Sequence, residues 1–280
     1  MKIGLVLEGG AMRGMYTAGV LDIFMAENIR VDGIVGVSAG ALFGVNYLSN
    51  QPGRVIRYNK RFNSDKNYLG LLPLLREGNI VSTQYAYHDV PEKLDAFDND
   101  TFQSSGVPFY AVVTNLETGE GEYIQIQDVF QQMDVLRASG SMPFVSQPVS
   151  WQGKQYLDGA IADSIPYRWM AEQGYDKLIV VLTRDAAYRK KPMNQTACNL
   201  AYRKWPKFLE KLLQRHSVYN STLDDLSDWE KRGAAFVIRP SQEIHIGRIE
   251  KDPEKLQEVY DLGMKDAKAL LGALKEYLKA

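Results

Sequence analysis

The chain has 280 residues, 45% hydrophobic and 24% charged, with a formal net charge of -1. That is the composition of a folded globular protein, and its balanced charge gives no general attraction to nucleic acid, so no nucleic-acid partner is expected. A single cysteine, Cys198, closes no internal disulfide, and His88, His216 and His245 form no His/Cys cluster; neither a metal site nor a cofactor is expected.

No stretch approaches the roughly 18 consecutive apolar residues of a membrane span, and the apolar run at Ile3 to Leu7 is too short for a signal peptide. A cytoplasmic chain is the expectation. The first 50 residues read as strand, helix, strand, helix. Ile3 to Leu7 is a compact strand, a glycine turn follows, and Val20, Leu21, Phe24 and Met25 recur at helical spacing. Ile34, Val35 and Val37 form a second strand, and Ala41, Leu42, Val45 and Leu48 a second helix. This alternation argues for a parallel sheet with right-handed crossovers.

Residues 51–105 are less regular and are expected to cap one end of the sheet. Phe109 to Thr114 and Tyr123 to Ile126 read as a hairpin, as do Pro148 to Trp151 and Gln155 to Leu157 around Gly153. Leu178 to Leu182 and Ala234 to Ile238 are further strands, and Pro253 to Leu278 is one helix or two. No repeat or low-complexity linker interrupts the chain, so a single domain over 1–280 is expected.

Gly36-Val37-Ser38-Ala39-Gly40 is a G-x-S-x-G placed after a strand and before a helix. Small neighbours let the backbone turn sharply and expose a serine hydroxyl at the carboxyl edge of the sheet. The following helix N-terminus favours developing negative charge there. A purely structural small-residue turn is the competing reading. Gly9-Gly10-Ala11-Met12-Arg13-Gly14 has neither the G-x-G-x-x-G spacing nor the G-K-[ST] ending of a phosphate loop. Its consecutive amides suit an oxyanion hole, or the glycines serve close packing alone. Arg13 adds charge to that hole or pairs with Glu8.

A Ser-His-Asp triad needs a histidine, and none of the three lies in a segment resembling a catalytic loop. Asp158-Gly159-Ala160 closes the second hairpin. A carboxylate there can take the Ser38 proton directly if partial burial raises its proton affinity; an ordinary Asx turn is the alternative.

Together, Gly9 to Gly14, Gly36 to Gly40 and Asp158 to Ala160 resemble, in order and placement, the three signature blocks of the patatin-like phospholipase family. Ala138-Ser139-Gly140-Ser141-Met142-Pro143 is similar to a fourth, Ser-rich segment. The resemblance runs from residue 3 to about 165. It implies an α/β fold of three layers, α/β/α, around a mostly parallel central sheet. It also implies a Ser38–Asp158 dyad, an oxyanion hole drawn from Gly9, Gly10, Ala11, Met12, Arg13 and Gly14, an elbow held by Gly36 and Gly40, and hydrolysis of lipid acyl esters without metal. Ala11 stands where the family carries a third glycine; a methyl group there is tolerated at negative φ and costly at positive φ. A carboxylesterase or thioesterase for soluble acyl compounds, and a weakly active lipid-binding regulator, are the other readings.

Residues 189–215 carry eight basic side chains, namely Arg189, Lys190, Lys191, Arg203, Lys204, Lys207, Lys211 and Arg215, against one acid, Glu210. They suit peripheral contact with anionic lipid, but Phe208, Leu209, Leu212 and Leu213 favour a helix packed on the core with a solvated basic face. The apolar segment Asn67 to Leu75 reads as a lid or as cap packing. The sequence does not set an oligomeric state.

Overall fold

A computed structural model describes residues 1–279. The opening unit is β1 (Ile3–Leu7), a 3-10 turn (Ala11–Gly14), α1 (Met15–Ala26), β2 (Gly33–Val37) and α2 (Ala39–Leu48). The cap holds α3 (Arg54–Phe62), α4 (Leu71–Glu77), a π-helical stretch (Tyr85–Leu94) and α5 (Asn99–Ser104). Then come β3 (Phe109–Asn115), β4 (Gly121–Ile126), α6 (Met133–Ser139), β5 (Val149–Trp151) and β6 (Lys154–Asp158). The remainder is α7 (Tyr167–Glu172), β7 (Lys177–Val181), α8 (Gln195–Tyr202), α9 (Pro206–Lys231), β8 (Ala235–Ile238) and α10 (Pro253–Lys279).

The eight strands of the described residues join one sheet of order β5-β6-β3-β2-β1-β7-β8, with β4 paired to β3. The pairs β3-β2, β2-β1, β1-β7 and β7-β8 are parallel, and both expected hairpins are antiparallel. Side-chain alternation divides the core. Leu5, Leu7, Ile34 and Val181 meet Val20, Phe24, Val45 and Leu256 on one face. Val6, Val35, Val37 and Val180 meet Tyr167, Met170, Tyr219 and Leu226 on the other. Apolar side chains on both faces are what a helix-covered parallel sheet requires, and the result is the expected α/β/α arrangement.

The register around β3 positions the site. Val37, the last residue of β2, pairs with Val112, and Asp158, the last residue of β6, pairs with Val113. β4 already pairs with Phe109 to Thr114, so β2 and β6 must share the other edge of β3. They run in opposite directions and end head to head.

The segment read as one helix or two is a single helix over Pro253–Lys279. The segment read as lid or packing divides: Tyr68 and Leu69 are buried, while Leu71 and Leu75 are exposed. Among the described residues no helix is long and apolar enough to cross a membrane.

α10 lies directly on α1. A Cβ built on Gly263 would stand 2.1 Å from the Tyr16 carbonyl oxygen, and one on Gly19 would stand 2.1 Å from that of Tyr260. Tyr16 donates to Asp266 at 3.1 Å and Tyr260 donates to Asp22, so hydroxyl–carboxylate bonds flank the crossing. Replacing Gly263 by Val should force the helices apart and lower the unfolding free energy by about 1–3 kcal/mol, read as a fall in the urea midpoint. An unchanged midpoint would show that the close approach is dispensable.

Candidate active site

Ser38 sits between β2 and α2 with φ 55° and ψ -121°. This conformation is rarely populated outside glycine, and surrounding structure must enforce it. Part of that enforcement is the tight packing of the turn: a Cβ on Gly40 would lie 2.4 Å from the Leu7 carbonyl oxygen, and one on Gly36 would lie 2.7 Å from the Ala41 backbone. β1 and β2 are thereby held close enough for the glycine loop to face the serine.

The Ser38 hydroxyl donates to Asp158 Oδ2 at 2.8 Å, and the Ala160 amide donates to Oδ1 at 2.9 Å. Ser38 is 6% exposed and Asp158 5%. Burial raises the proton affinity of the Asp158 carboxyl above its ordinary value. The Arg215 charge, the Ala160 amide, the Ser38 hydroxyl and the Lys190 charge oppose that rise. The pair has the geometry of a hydroxyl facing its proton acceptor.

The Ser-rich segment holds both partners. Ser139, fully buried at the end of α6, accepts the Ser38 amide at 2.8 Å, and the Ser141 carbonyl accepts the Asp158 amide at 2.9 Å. The Ser38 amide is therefore engaged. In the glycine loop, the amides of Gly9, Gly10 and Ala11 make no hydrogen bond to any described residue, and these residues line the space beside Ser38. They are free donors of the kind an oxyanion needs. Ala11 has φ 50°, so its methyl group falls on the costly side, at about 1–2 kcal/mol, while the loop keeps a glycine-like path.

Two cavities meet at the serine. One is apolar, with walls that include Leu42, Phe43, Val90, Met133 and Leu136. The other is polar and contains Asp158 together with Arg13, Arg184, Lys190, Arg215 and Arg248. Ala11, Ser38, Met142 and Arg248 border both.

Arg13 does not pair with Glu8. The Glu8 carboxylate instead accepts the Tyr219 hydroxyl at 2.6 Å and the Thr183 amide at 2.7 Å. The solvated basic face expected of 189–215 holds for exposed Arg203, Lys204 and Lys207, with Phe208 and Leu212 buried beneath. It fails for Lys190 and Arg215, which turn into the polar cavity. Sequence reading missed them because helical spacing separates apolar from polar faces but does not mark which polar residue looks into a cavity. Arg184 and Arg248 lie in loops that carry no motif. None of the three histidines lines either cavity.

A profile described as "Patatin-like phospholipase" matches residues 5–169, and one described as "Domain of unknown function (DUF6363)" matches residues 205–279. The chain is similar to "Uncharacterized protein YjjU" of Escherichia coli (strain K12), at 33% identity over 192 residues, covering 65% of this chain and 52% of that protein. It is also similar to "Lysophospholipase NTE1" of Scheffersomyces stipitis, at 23% identity over 287 residues, covering 97% of this chain and 18% of that protein. The chain thus spans about half of the first relative and under a fifth of the second. Among solved structures it is similar to VipD from Legionella pneumophila, with a TM-score of 0.47 and 14% identity, over 97% of this chain and 67% of that one. The profile match at 5–169 takes in the serine turn, the glycine loop and the aspartate hairpin, and the chain belongs to the patatin-like phospholipase family.

Proposed function

We propose that this protein is a serine hydrolase of lipid acyl esters, with Ser38 as nucleophile and Asp158 as its base. The observation that carries the reading is the 2.8 Å hydrogen bond from the Ser38 hydroxyl to a buried carboxylate, beside amides that have no other partner. Family membership supports a lipid ester as substrate, and the apolar cavity offers a place for its acyl chain.

In the first step Ser38 Oγ attacks the ester carbonyl while its proton passes to Asp158 Oδ2. The carbonyl oxygen gains negative charge and is received by the glycine-loop amides, each such donor being worth about 3–4 kcal/mol in the transition state. The bond to the alcohol oxygen then breaks, and Asp158 returns the proton to the leaving alcohol. Water attacks the acyl-enzyme, giving a proton to Asp158; collapse frees the carboxylic acid and restores the Ser38 hydroxyl. The fixed charge of the α2 N-terminus lies at Ser38 and favours the same negative charge. The segments matched separately at 5–169 and 205–279 act as one unit in this reading, since α10 packs on α1 and β8 extends the sheet.

A fluorophosphonate probe should label the wild-type protein and leave Ser38→Ala unlabelled; equal labelling of both would remove Ser38 from the mechanism. Phospholipid and monoacylglycerol hydrolysis should fall by a factor of about 10³ or more in the same variant.

The pH dependence follows from Asp158. Its folded-state proton affinity is raised above the ordinary 3.8, and only the ionised form can accept the serine proton. The acidic limb of kcat/KM should therefore lie above 3.8. A limb at or below that value would contradict the assignment. The same shift has a stability consequence. A raised carboxyl favours the folded state below the unfolded value and disfavours it once the pH rises through the folded value. Asp158→Asn should accordingly be inactive yet melt higher than wild type at neutral pH, with the gap closing as the pH is lowered.

Removing the Ser139 hydroxyl orphans the buried Ser38 amide, at a cost of about 1–3 kcal/mol. Ser139→Ala should lower kcat more than it raises KM, whereas a loss of stability with kcat unchanged would make Ser139 purely structural.

A further inference from the structure

The polar cavity beside Ser38 gathers five cationic side chains, Arg13, Arg184, Lys190, Arg215 and Arg248, around two carboxylates, Glu8 and Asp158. Glu8 is occupied by Tyr219 and Thr183, and Asp158 by Ser38 and Ala160. Among the described residues none of the five cations has a carboxylate within 4.0 Å. The Arg13 Nε is buried without any hydrogen-bond acceptor. Arg184 and Lys190 rest on the rings of Tyr188 and Tyr219, at 4.0 and 4.2 Å, and Arg215 Nε donates to the Ala160 carbonyl at 2.6 Å.

Crowding five cations around two carboxylates that are already hydrogen-bonded elsewhere is unfavourable, and the groups register it. Burial, then the charge of Arg215, push the Lys190 ammonium down to about 7. Burial, then Arg184, push the Arg13 guanidinium down to about 10. A structure that only needed to fold would gain by replacing such groups. A multiply charged anion entering the cavity removes the repulsion and satisfies the free donors, since guanidinium forks match phosphate oxygens.

We propose that this cavity is a subsite for a phosphate-type anion carried on the alcohol side of the ester substrate. It is supplied chiefly by residues that follow the family match, with Arg215 and Arg248 coming from the stretch whose profile has no assigned function. The proposal rests on the ester-hydrolase reading above and adds a selectivity to it. Geometry supports the placement. Ser38 stands on the wall common to the two cavities, so an ester whose acyl chain lies in the apolar one directs its alcohol into the basic one. Arg248 borders both cavities and is solvent-exposed, which puts a cation where the two parts of such a substrate join. The subsite favours anionic heads over zwitterionic ones, because no carboxylate is left free to hold a choline-type cation.

The test compares three substrates with one lauroyl chain: lysophosphatidic acid, lysophosphatidylcholine and monolauroylglycerol. Wild-type kcat/KM should be at least about tenfold higher for lysophosphatidic acid than for the glycerol ester, a ratio in keeping with one or two charge-assisted contacts. Inorganic phosphate should raise KM for lysophosphatidic acid without lowering kcat. Arg248→Gln and Lys190→Gln should each reduce the ratio about fivefold or more, while Arg203→Gln, on the exposed basic face, should not. A ratio near one in the wild-type enzyme overturns the subsite, and so does an equal loss in Arg203→Gln. Phosphate that protects the protein from thermal unfolding without any substrate preference marks a free-anion site and also overturns it. Hydrolysis of none of the three, with no fluorophosphonate labelling, defeats the hydrolase reading itself and is a separate result.

Discussion

The arrangement depends on one constraint: β2 and β6 share a single edge of β3 and end on neighbouring residues of it. Val37 opposite Val112 and Asp158 opposite Val113 leave the next residue of β2, Ser38, facing the carboxylate that ends β6. Backbone ladders fix register to the residue, because a slip by one position turns each side chain to the other face of the sheet. The meeting of two side chains 120 positions apart is thus set by main-chain hydrogen bonding, not by flexible loops. The Ser139 hydroxyl and Ser141 carbonyl then tie the same two residues to the end of α6.

Burial of the pair is the second element. A carboxylate 5% exposed would ordinarily neutralise. Here the Ser38 hydroxyl, the Ala160 amide and the nearby Arg215 and Lys190 charges stabilise the ionised form, while burial works against it. The balance leaves a carboxyl whose proton affinity is raised, which is the direction a general base needs. The proposed mechanism accordingly assigns no role to a histidine. The cations consequently have two effects in the proposed mechanism: Arg215 and Lys190 restrain the basicity of Asp158, and all five charge the space into which the alcohol portion of an ester would extend. An anion bound there would weaken the first effect and raise the proton affinity of Asp158 further.

The parts of the fold set by short-range pattern were legible in the sequence. Ile3 to Leu7, Ile34 to Val37 and Leu178 to Leu182 are apolar runs bounded by turn residues, and each is a buried strand within a residue of its expected limits. The serine turn, glycine loop and Asp158 hairpin were visible because each sets small residues at fixed offsets beside a strand end. What escaped was long-range and solvent-related. Nothing local in Glu8 indicates that it would bond Tyr219 and Thr183 instead of Arg13. The orientation of Lys190 and Arg215 depends on where α9 lies against β6, a tertiary fact. The left-handed conformation of Ala11 likewise runs against its own preference and reflects the close packing of the loop against Ser38 and Thr183, where Gly9 and Gly10 leave no room for a Cβ.

The chain divides its labour unevenly. The part matched to the family carries the serine, the aspartate and the free amides, which are the elements of bond cleavage in the reading argued above. Four of the five cations, Arg184, Lys190, Arg215 and Arg248, come after it. Those four cannot reach the site unless β7 and β8 extend the sheet beside β1 and α9 returns across its face, so the later segment is built into the same core that holds the dyad. Because Tyr219 of α9 also holds Glu8, the residue that leads into the glycine loop, and α9 carries Arg215 and bonds Lys190 through Asn220, the position of α9 bears on the loop and on these two cations together. The Tyr219 and Thr183 bonds to Glu8, and that of Thr183 to the Gly9 carbonyl, join the glycine loop to the segments that carry Arg184 and Arg215. A change in the late segment that broke these bonds would thus disturb the glycine loop as well as the charge of the polar cavity.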